Sequence, residues 1–158
     1  MQAEHINPFL RAVTNTFSTM FNCEARRGAM TLVDSEEKFF PISGVIGLSG
    51  KAVGIVVINL SEEVALRAAS TMLMMEMTKV DDDVIDAVGE MANMIAGQAK
   101  AELEEYDLSV SLPSVITGQG HELRFPSDAK PIAVDFDTDF GPLRLEVGLE
   151  PIQEPASV

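Results

Sequence analysis

Between Asp81 and Tyr106 the apolar residues recur at helical spacing, with Val84, Val88, Met91, Ile95 and Ala99 widened by Ile85, Ala92, Ala96 and Leu103. The pattern predicts a helix over 81–106, with Asp81–Asp83 at its electropositive start. At ~100° per residue, Asp86, Glu90, Asn93 and Gly97 fall opposite the apolar stripe. Glu90 and Asn93 then stand one turn apart on a face the core does not use. That face is badly chosen for helix stability. Asn costs up to ~0.7 kcal/mol there, and Gly89 and Gly97 up to ~1 kcal/mol each relative to Ala. The strip is the first candidate for a site.

The same periodicity predicts two more helices. Asn7-Pro8 has the form of an N-cap and first helical residue, and Phe9, Leu10, Val13, Phe17, Met20 and Phe21 carry a stripe to about Asn22, with Arg26, Arg27 and Gly28 ending the helix. Ser61 caps another, followed by Glu62 and Glu63, running to about Met77 and apolar on most of its surface, hence deeply packed. Period-two segments fill the remainder. Met30–Asp34 and Lys38–Ser43 are expected as short strands, Gly44–Ser61 as a hairpin turning at Ser49-Gly50-Lys51, and Pro113 leads a further strand within Ser111–Gly120. In the last hairpin Ile132, Val134, Phe136 and Phe140 alternate with Asp135, Asp137 and Asp139. Leu143, Leu145, Val147 and Leu149 continue the alternation, which predicts one buried and one wet face. The tail Pro151–Val158 is expected to be disordered.

The order of elements hints at duplication. Leu10–Asn22 aligns without gaps on Ile85–Gly97, and each copy continues into a Pro-led strand (Pro41, Pro113) and a hairpin with Gly at its turn (Gly54, Gly141). The expected organisation is a single domain over 1–150 built from half-repeats at about 5–77 and 81–150. Where the second copy has Glu90 and Asn93, the first has Asn15 and Ser18. If the pair is a site, it exists in one copy only.

Composition narrows the function classes. A chain of 158 residues, 46% apolar and 23% charged, is ordinary for a soluble globular domain. It has no uninterrupted apolar window long enough for a membrane span and no basic-then-apolar secretory start, which points to the cytoplasm. Cys23 is the single cysteine, so no disulfide framework or thiol metal cluster is available. The net charge of −14 is concentrated: residues 1–80 carry seven basic and eight acidic side chains, residues 81–158 four and seventeen. Nucleic-acid binding lacks its basic footprint. The acidic half serves solubility or meets a partner with exposed Lys or Arg.

Several motifs resemble chemistry without supporting it. Asp135, Asp137, Asp139 and Glu146 match calcium-loop positions, but Phe140 stands where the sharp-turn Gly is needed and the flanks alternate like strands; Arg144 is their expected cross-strand partner. His5 and His121 have no ligand-spaced neighbours and are expected at the surface. Met72, Met74, Met75, Met77, Met91 and Met94 are expected to fill the core rather than line a groove. Neither a Walker phosphate loop nor a nucleophile-elbow glycine pattern is present.

A carboxylate and a carboxamide on an exposed helix make a poor stand-alone catalyst, lacking nucleophile and metal. They make sense if a partner brings the rest. An amide both donates and accepts, so it can hold a water for in-line attack on a phosphoryl group, while the Glu docks on a partner Lys. Gly89 and Gly97 would let the partner approach closely. The Asp86-x-x-x-Glu90-x-x-Asn93 pattern on a long helix, with Pro113 ahead of a strand, resembles the CheC/CheX family of chemotaxis phosphatases, and most the CheX type, because one half only carries Glu-x-x-Asn. The nineteen residues between Asn93 and Pro113 depart from the family's slightly longer spacing, which concerns the loop and not the helix.

The resemblance implies an α/β (α+β) sandwich with two long helices packed on a mainly antiparallel sheet and a pseudo-two-fold repeat. It implies a phosphatase acting on the phospho-aspartate of a CheY-like response regulator, with Asn93 and Glu90 catalytic and Asp86, Gly89 and Gly97 binding the partner. It also implies no cofactor of the chain's own, magnesium carried by the regulator, and a homodimer. Flagellar switch proteins share the fold family, so a non-catalytic regulator-binding domain is the alternative, and a purely structural homodimer a third.

Overall fold

The computed structural model describes residues 3–33, 40–121, 123, 125 and 130–152. Helix α1 (Ala3–Phe21) leads into β1 (Ala25–Leu32), then the hairpin β2 (Ile42–Ser49) and β3 (Ala52–Leu60) and helix α2 (Glu62–Leu73). Helix α3 (Asp82–Ala101) is followed by a 3-10 turn (Glu104–Tyr106), β4 (Ser109–Val110), β5 (Ser114–Thr117) and the hairpin β6 (Ile132–Thr138) and β7 (Gly141–Pro151). The strands form one seven-stranded sheet, ordered β1-β6-β7-β3-β2-β4, with β5 also pairing β2. Every pairing is antiparallel. The two long helices and the shorter α2 pack on it as an α+β sandwich.

The register decides which face is apolar. Ile46 opposes Val56, which opposes Val147, which opposes Ile132. The next row is Gly44, Ile58, Leu145 and Val134. All but Gly44 are large buried side chains, and together they floor the core beneath the helices. Gly44 has a different job. A Cβ there would meet the Ala92 side chain at 2.9 Å, so its absence lets α3 sit close on β2. Helices α1 and α3 run antiparallel, joined by the Arg11–Glu102 ion pair (2.8 Å) and the Gln98 Nε2 to Thr16 Oγ1 hydrogen bond (2.9 Å).

With β4 set aside and β5 taken as the strand beside β2, exchanging β1 with β5, β2 with β6 and β3 with β7 maps the order onto itself: β1 pairs with the β6–β7 hairpin and β5 with the β2–β3 hairpin.

The cap at Ser61 is present, its Oγ accepting from the Val64 N–H at 3.3 Å, and Asp81 caps α3 through the Val84 N–H at 3.0 Å. Such caps stabilise by about 1 kcal/mol. Other boundaries differ from expectation. Helix α1 begins at Ala3, with Pro8 inside it, because the first two turns are held by buried His5 and Ile6. Proline near a helix start forfeits few hydrogen bonds. Arg26–Gly28 lie in β1 instead of ending α1, since Asp137 and Asp139 on the neighbouring hairpin supply partners for Arg26. The strand expected at Met30–Asp34 is the end of β1, with Asp34 outside the described residues; the one at 38–43 enters them at Phe40 and merges into β2.

Helix α2 stops at Leu73 and not at Met77, turning through a left-handed Met74 (φ 55°). Its end is not buried: Met74 is 92% and Met75 59% exposed, so these two do not fill the core. The outer face of β7 is not wet. Arg144 and Glu146 are buried there, on the side where Asn59, in register with Arg144, bonds the Phe40 backbone and Ser43 meets His121, so other segments of the chain lie across this face. Pro151 belongs to β7, and the Ile152 N–H donates to the Lys51 carbonyl; the tail from 153 lies outside the described residues.

Candidate functional site

Helix α3 buries Val84, Ala87, Val88, Met91, Ala92, Ile95, Ala96 and Ala99 against the sheet and α1. This fixes the opposite side outward, and Asp86, Glu90, Asn93 and Gly97 are all exposed along one line of the helix. Glu90 and Asn93 lie ~4.5 Å apart along the axis. Among the described residues neither side chain makes a hydrogen bond or ion pair, and neither does that of Asp86. Asp86 and Glu90 are a like-charged i, i+4 pair, which costs the isolated helix a few tenths of a kcal/mol. The strip is therefore unsatisfied in the chain itself and set against its own helix.

Gly89 differs from Gly97. Gly89 is buried, and a Cβ there would rest 3.5 Å from both Pro113 Cγ and Val115 Cγ2. It faces the chain's own Pro113 and Val115, at a spacing that would admit a Cβ in ordinary van der Waals contact. Gly97 is exposed with nothing within 4 Å of its missing Cβ. No packing within the chain explains it.

A cleft of about 530 Å³ opens where the helix face ends, and Asn93, Gly97, Lys100 and Ala101 form one wall. Glu104, Asp107, Leu108 and Val110 form the other. The second wall exists because α3 ends at Ala101 instead of running to Tyr106. Leu103 turns inward to 3% exposure, and Asp107 adopts a left-handed conformation (φ 46°). Two bonds hold this wall: the Lys51 N–H donates to the Tyr106 carbonyl at 2.7 Å, and the Tyr106 hydroxyl meets His5 Nε2 at 2.8 Å. His5 is thus a buried tie and not a surface residue. His121 is half-buried, with Nε2 at 2.8 Å from Ser43 Oγ.

The first half has a lesser counterpart. A cleft of about 310 Å³ is lined by Ser18, the residue aligned with Asn93, and by Asn22, Cys23 and Asp139 among others. Here Thr14 and the two acids, Glu24 and Asp139, are already engaged. The Asp139 carboxylate takes the Glu24 backbone N–H and then Arg26, and these hold its pKa below the ordinary range. The remaining acids of the last hairpin behave as strand residues. Asp135 opposes Arg144 in register, with Oδ1 at 3.5 Å from Arg144 Nη1. Among the described residues no group of three or more His, Cys, Asp or Glu is placed to hold a metal ion, and no helix is long and apolar enough to cross a membrane.

The family model for the chemotaxis phosphatase CheX matches residues 42–137. The CheY-P phosphatase CheX of Thermotoga maritima is 30% identical over 145 residues, 89% of this chain and 94% of that protein. A CheC-like superfamily protein of Shewanella sp. PV-4 superposes with a TM-score of 0.86 at 32% identity, over 95% of this chain and 99% of that one. The chemotaxis protein CheX of Vibrio vulnificus gives a TM-score of 0.86 at 31% identity, over 94% and 100%. With the Glu90/Asn93 face lying inside the matched segment, the chain belongs to the CheX family of chemotaxis phosphatases.

Proposed function

We propose that this protein dephosphorylates the phospho-aspartate of a CheY-like response regulator, using Asn93 to orient the attacking water and Glu90 to dock on a regulator lysine. The observation that carries this is an acid and an amide, one turn apart, with side chains without partners among the described residues, on the exposed face of a long helix. The Thermotoga relative, named for action on CheY-P, supports the substrate class.

The Asn93 carboxamide accepts a hydrogen bond from the water and donates one to a phosphoryl oxygen, setting the water in line with the bond to be broken. The water oxygen forms the new bond to phosphorus as the aspartyl oxygen leaves, giving phosphate and a free carboxylate. An amide cannot remove the proton, which passes to the phosphate or to solvent. Catalysis is then by position, and the regulator supplies the charged groups, magnesium among them. Asp86 flanks the pair and Gly97 leaves room beside it. Gly89, facing Pro113 and Val115, lies off this strip.

Glu90→Ala is expected to weaken binding of a beryllofluoride-activated CheY-type receiver domain about tenfold, since it removes one partner of an ion pair that docking desolvates. Titration calorimetry measures this, and an unchanged affinity would remove the docking role.

We also propose a cytoplasmic homodimer, joined through the open side of β1. Seven of its eight residues are exposed, including Met30 at 42% and Leu32 at 69%, and an uncovered edge of that length is a template for pairing. Met30→Lys is expected to shift sedimentation from dimer towards monomer. A monomeric wild type, or a variant that sediments like it, would exclude this edge.

A further inference from the structure

The cleft beside Asn93 is not used by the water-positioning step, yet Asn93 is one of its walls. We propose that it is the specificity pocket of the site, receiving an apolar side chain that the phosphorylated receiver domain presents next to its phospho-aspartate. This rests on the dephosphorylation reading and adds the feature of the substrate that is selected.

Four observations carry it. The floor is apolar, with Leu108 buried and Val110 half-buried. The rim is charged and uncommitted: the Lys100, Glu104 and Asp107 side chains are exposed and have no hydrogen bond or ion pair among the described residues. Gly97 lies between Asn93 and Lys100 with open space where a side chain would be, so the cleft is continuous with the catalytic face. The far wall is fixed by the Tyr106 contacts to Lys51 and His5, which makes the pocket preformed and keeps the ordering cost of binding low.

The same features argue against other occupants. A small polar ligand would need a buried polar group to orient it, and all the polar side chains lining this cleft are exposed. Two acids against one lysine on the rim favour an apolar residue with a basic neighbour, consistent with a receiver that offers a lysine to Glu90. The first half's smaller cleft at Ser18, with Asp139 already bound by Arg26, has no such open rim.

The test is to fill the pocket from Gly97, where added atoms meet nothing in the chain. Gly97→Leu is expected to weaken binding of a beryllofluoride-activated CheY-type receiver domain about tenfold, and to lower kcat/KM for phosphate release by a similar factor carried by KM. Gly97→Ala, which fills less, should lie between, and thermal melts should show both variants folded. Wild-type affinity in folded Gly97→Leu would overturn the proposal. So would a loss of dimer on sedimentation with receiver affinity intact, which would assign the cleft to a second copy of the chain. If Asn93→Ala keeps full phosphate release, the catalytic reading fails, whereas the pocket is judged by the Gly97→Leu binding result.

Discussion

Replacing Asn93 with Ala is expected to lower the rate of phosphate release from a phosphorylated CheY-type receiver domain by about 10²–10³-fold, while leaving the protein folded. The size follows from the step lost. Holding a water in line supplies on the order of 3–4 kcal/mol of the barrier, and an alanine methyl can neither accept from the water nor donate to the phosphoryl group. Stability should be unchanged or slightly higher, because Asn93 is exposed and Ala is the better helix former by up to ~0.7 kcal/mol. Receiver affinity should stay within about twofold, since docking rests on Glu90 and the adjoining surface. Phosphate release, a thermal melt and a binding titration on one preparation separate the three effects. Equal rates for variant and wild type would sink the role given to Asn93.

The largest effect on stability is expected far from that helix. Arg144 and Glu146 share the outer face of β7, where Arg144 is 7% and Glu146 0% exposed, with Arg144 Nε at 3.1 Å from Glu146 Oε1. Arg144→Ala leaves a carboxylate buried without its counter-charge, a change that costs about 3–5 kcal/mol. Burial pushes the Glu146 carboxyl above its ordinary value, with Arg144 pulling it back down. A group whose pKa is raised by folding contributes stability that is full below its unfolded pKa and is lost as pH rises through the folded value. Without Arg144 the rise is larger. The deficit of Arg144→Ala should therefore be greatest at neutral pH and shrink as pH falls towards the ordinary glutamate range. Urea unfolding at pH 7.5 and pH 5 reads both, and an equal deficit at the two values would contradict the assignment.

The same pair shows how far the chain could be read in advance. Alternation along Leu143–Leu149 marked one face of β7 correctly, but polar residues between apolar ones read as wet wherever the strand lies in the sheet. What lies across the outer face is set by residues distant in sequence, as where Asn59 and Ser43 on the neighbouring strands bond Phe40 and His121, and that is not local information. Helix α3 was legible because its apolar period persists for five turns, and the period alone placed Asp86, Glu90, Asn93 and Gly97 outward. Its end was not legible. Leu103 continues the helical period, yet it turns inward after the helix has stopped at Ala101.

The cleft depends on that early stop, so Lys100, Leu108 and Val110 carried no signal that could have marked them. Gly89 lies one residue from Glu90 but 100° around the axis, enough to place it under Pro113 instead of on the outer strip. His5 was missed for a related reason. A lone histidine near a terminus looks solvated until Tyr106, a hundred residues away in sequence, folds against it.

A domain that binds the phosphorylated regulator and one that hydrolyses it make opposite predictions in a single experiment. The receiver domain is phosphorylated, freed of phosphodonor, held in magnesium, and mixed with this protein at one tenth of its concentration. Phosphate release should be faster than the receiver's own and should run to completion, about ten turnovers for each copy of the chain. Release that is unchanged, or slowed in proportion to the protein added, would show a binding domain and contradict the catalytic role of Glu90 and Asn93.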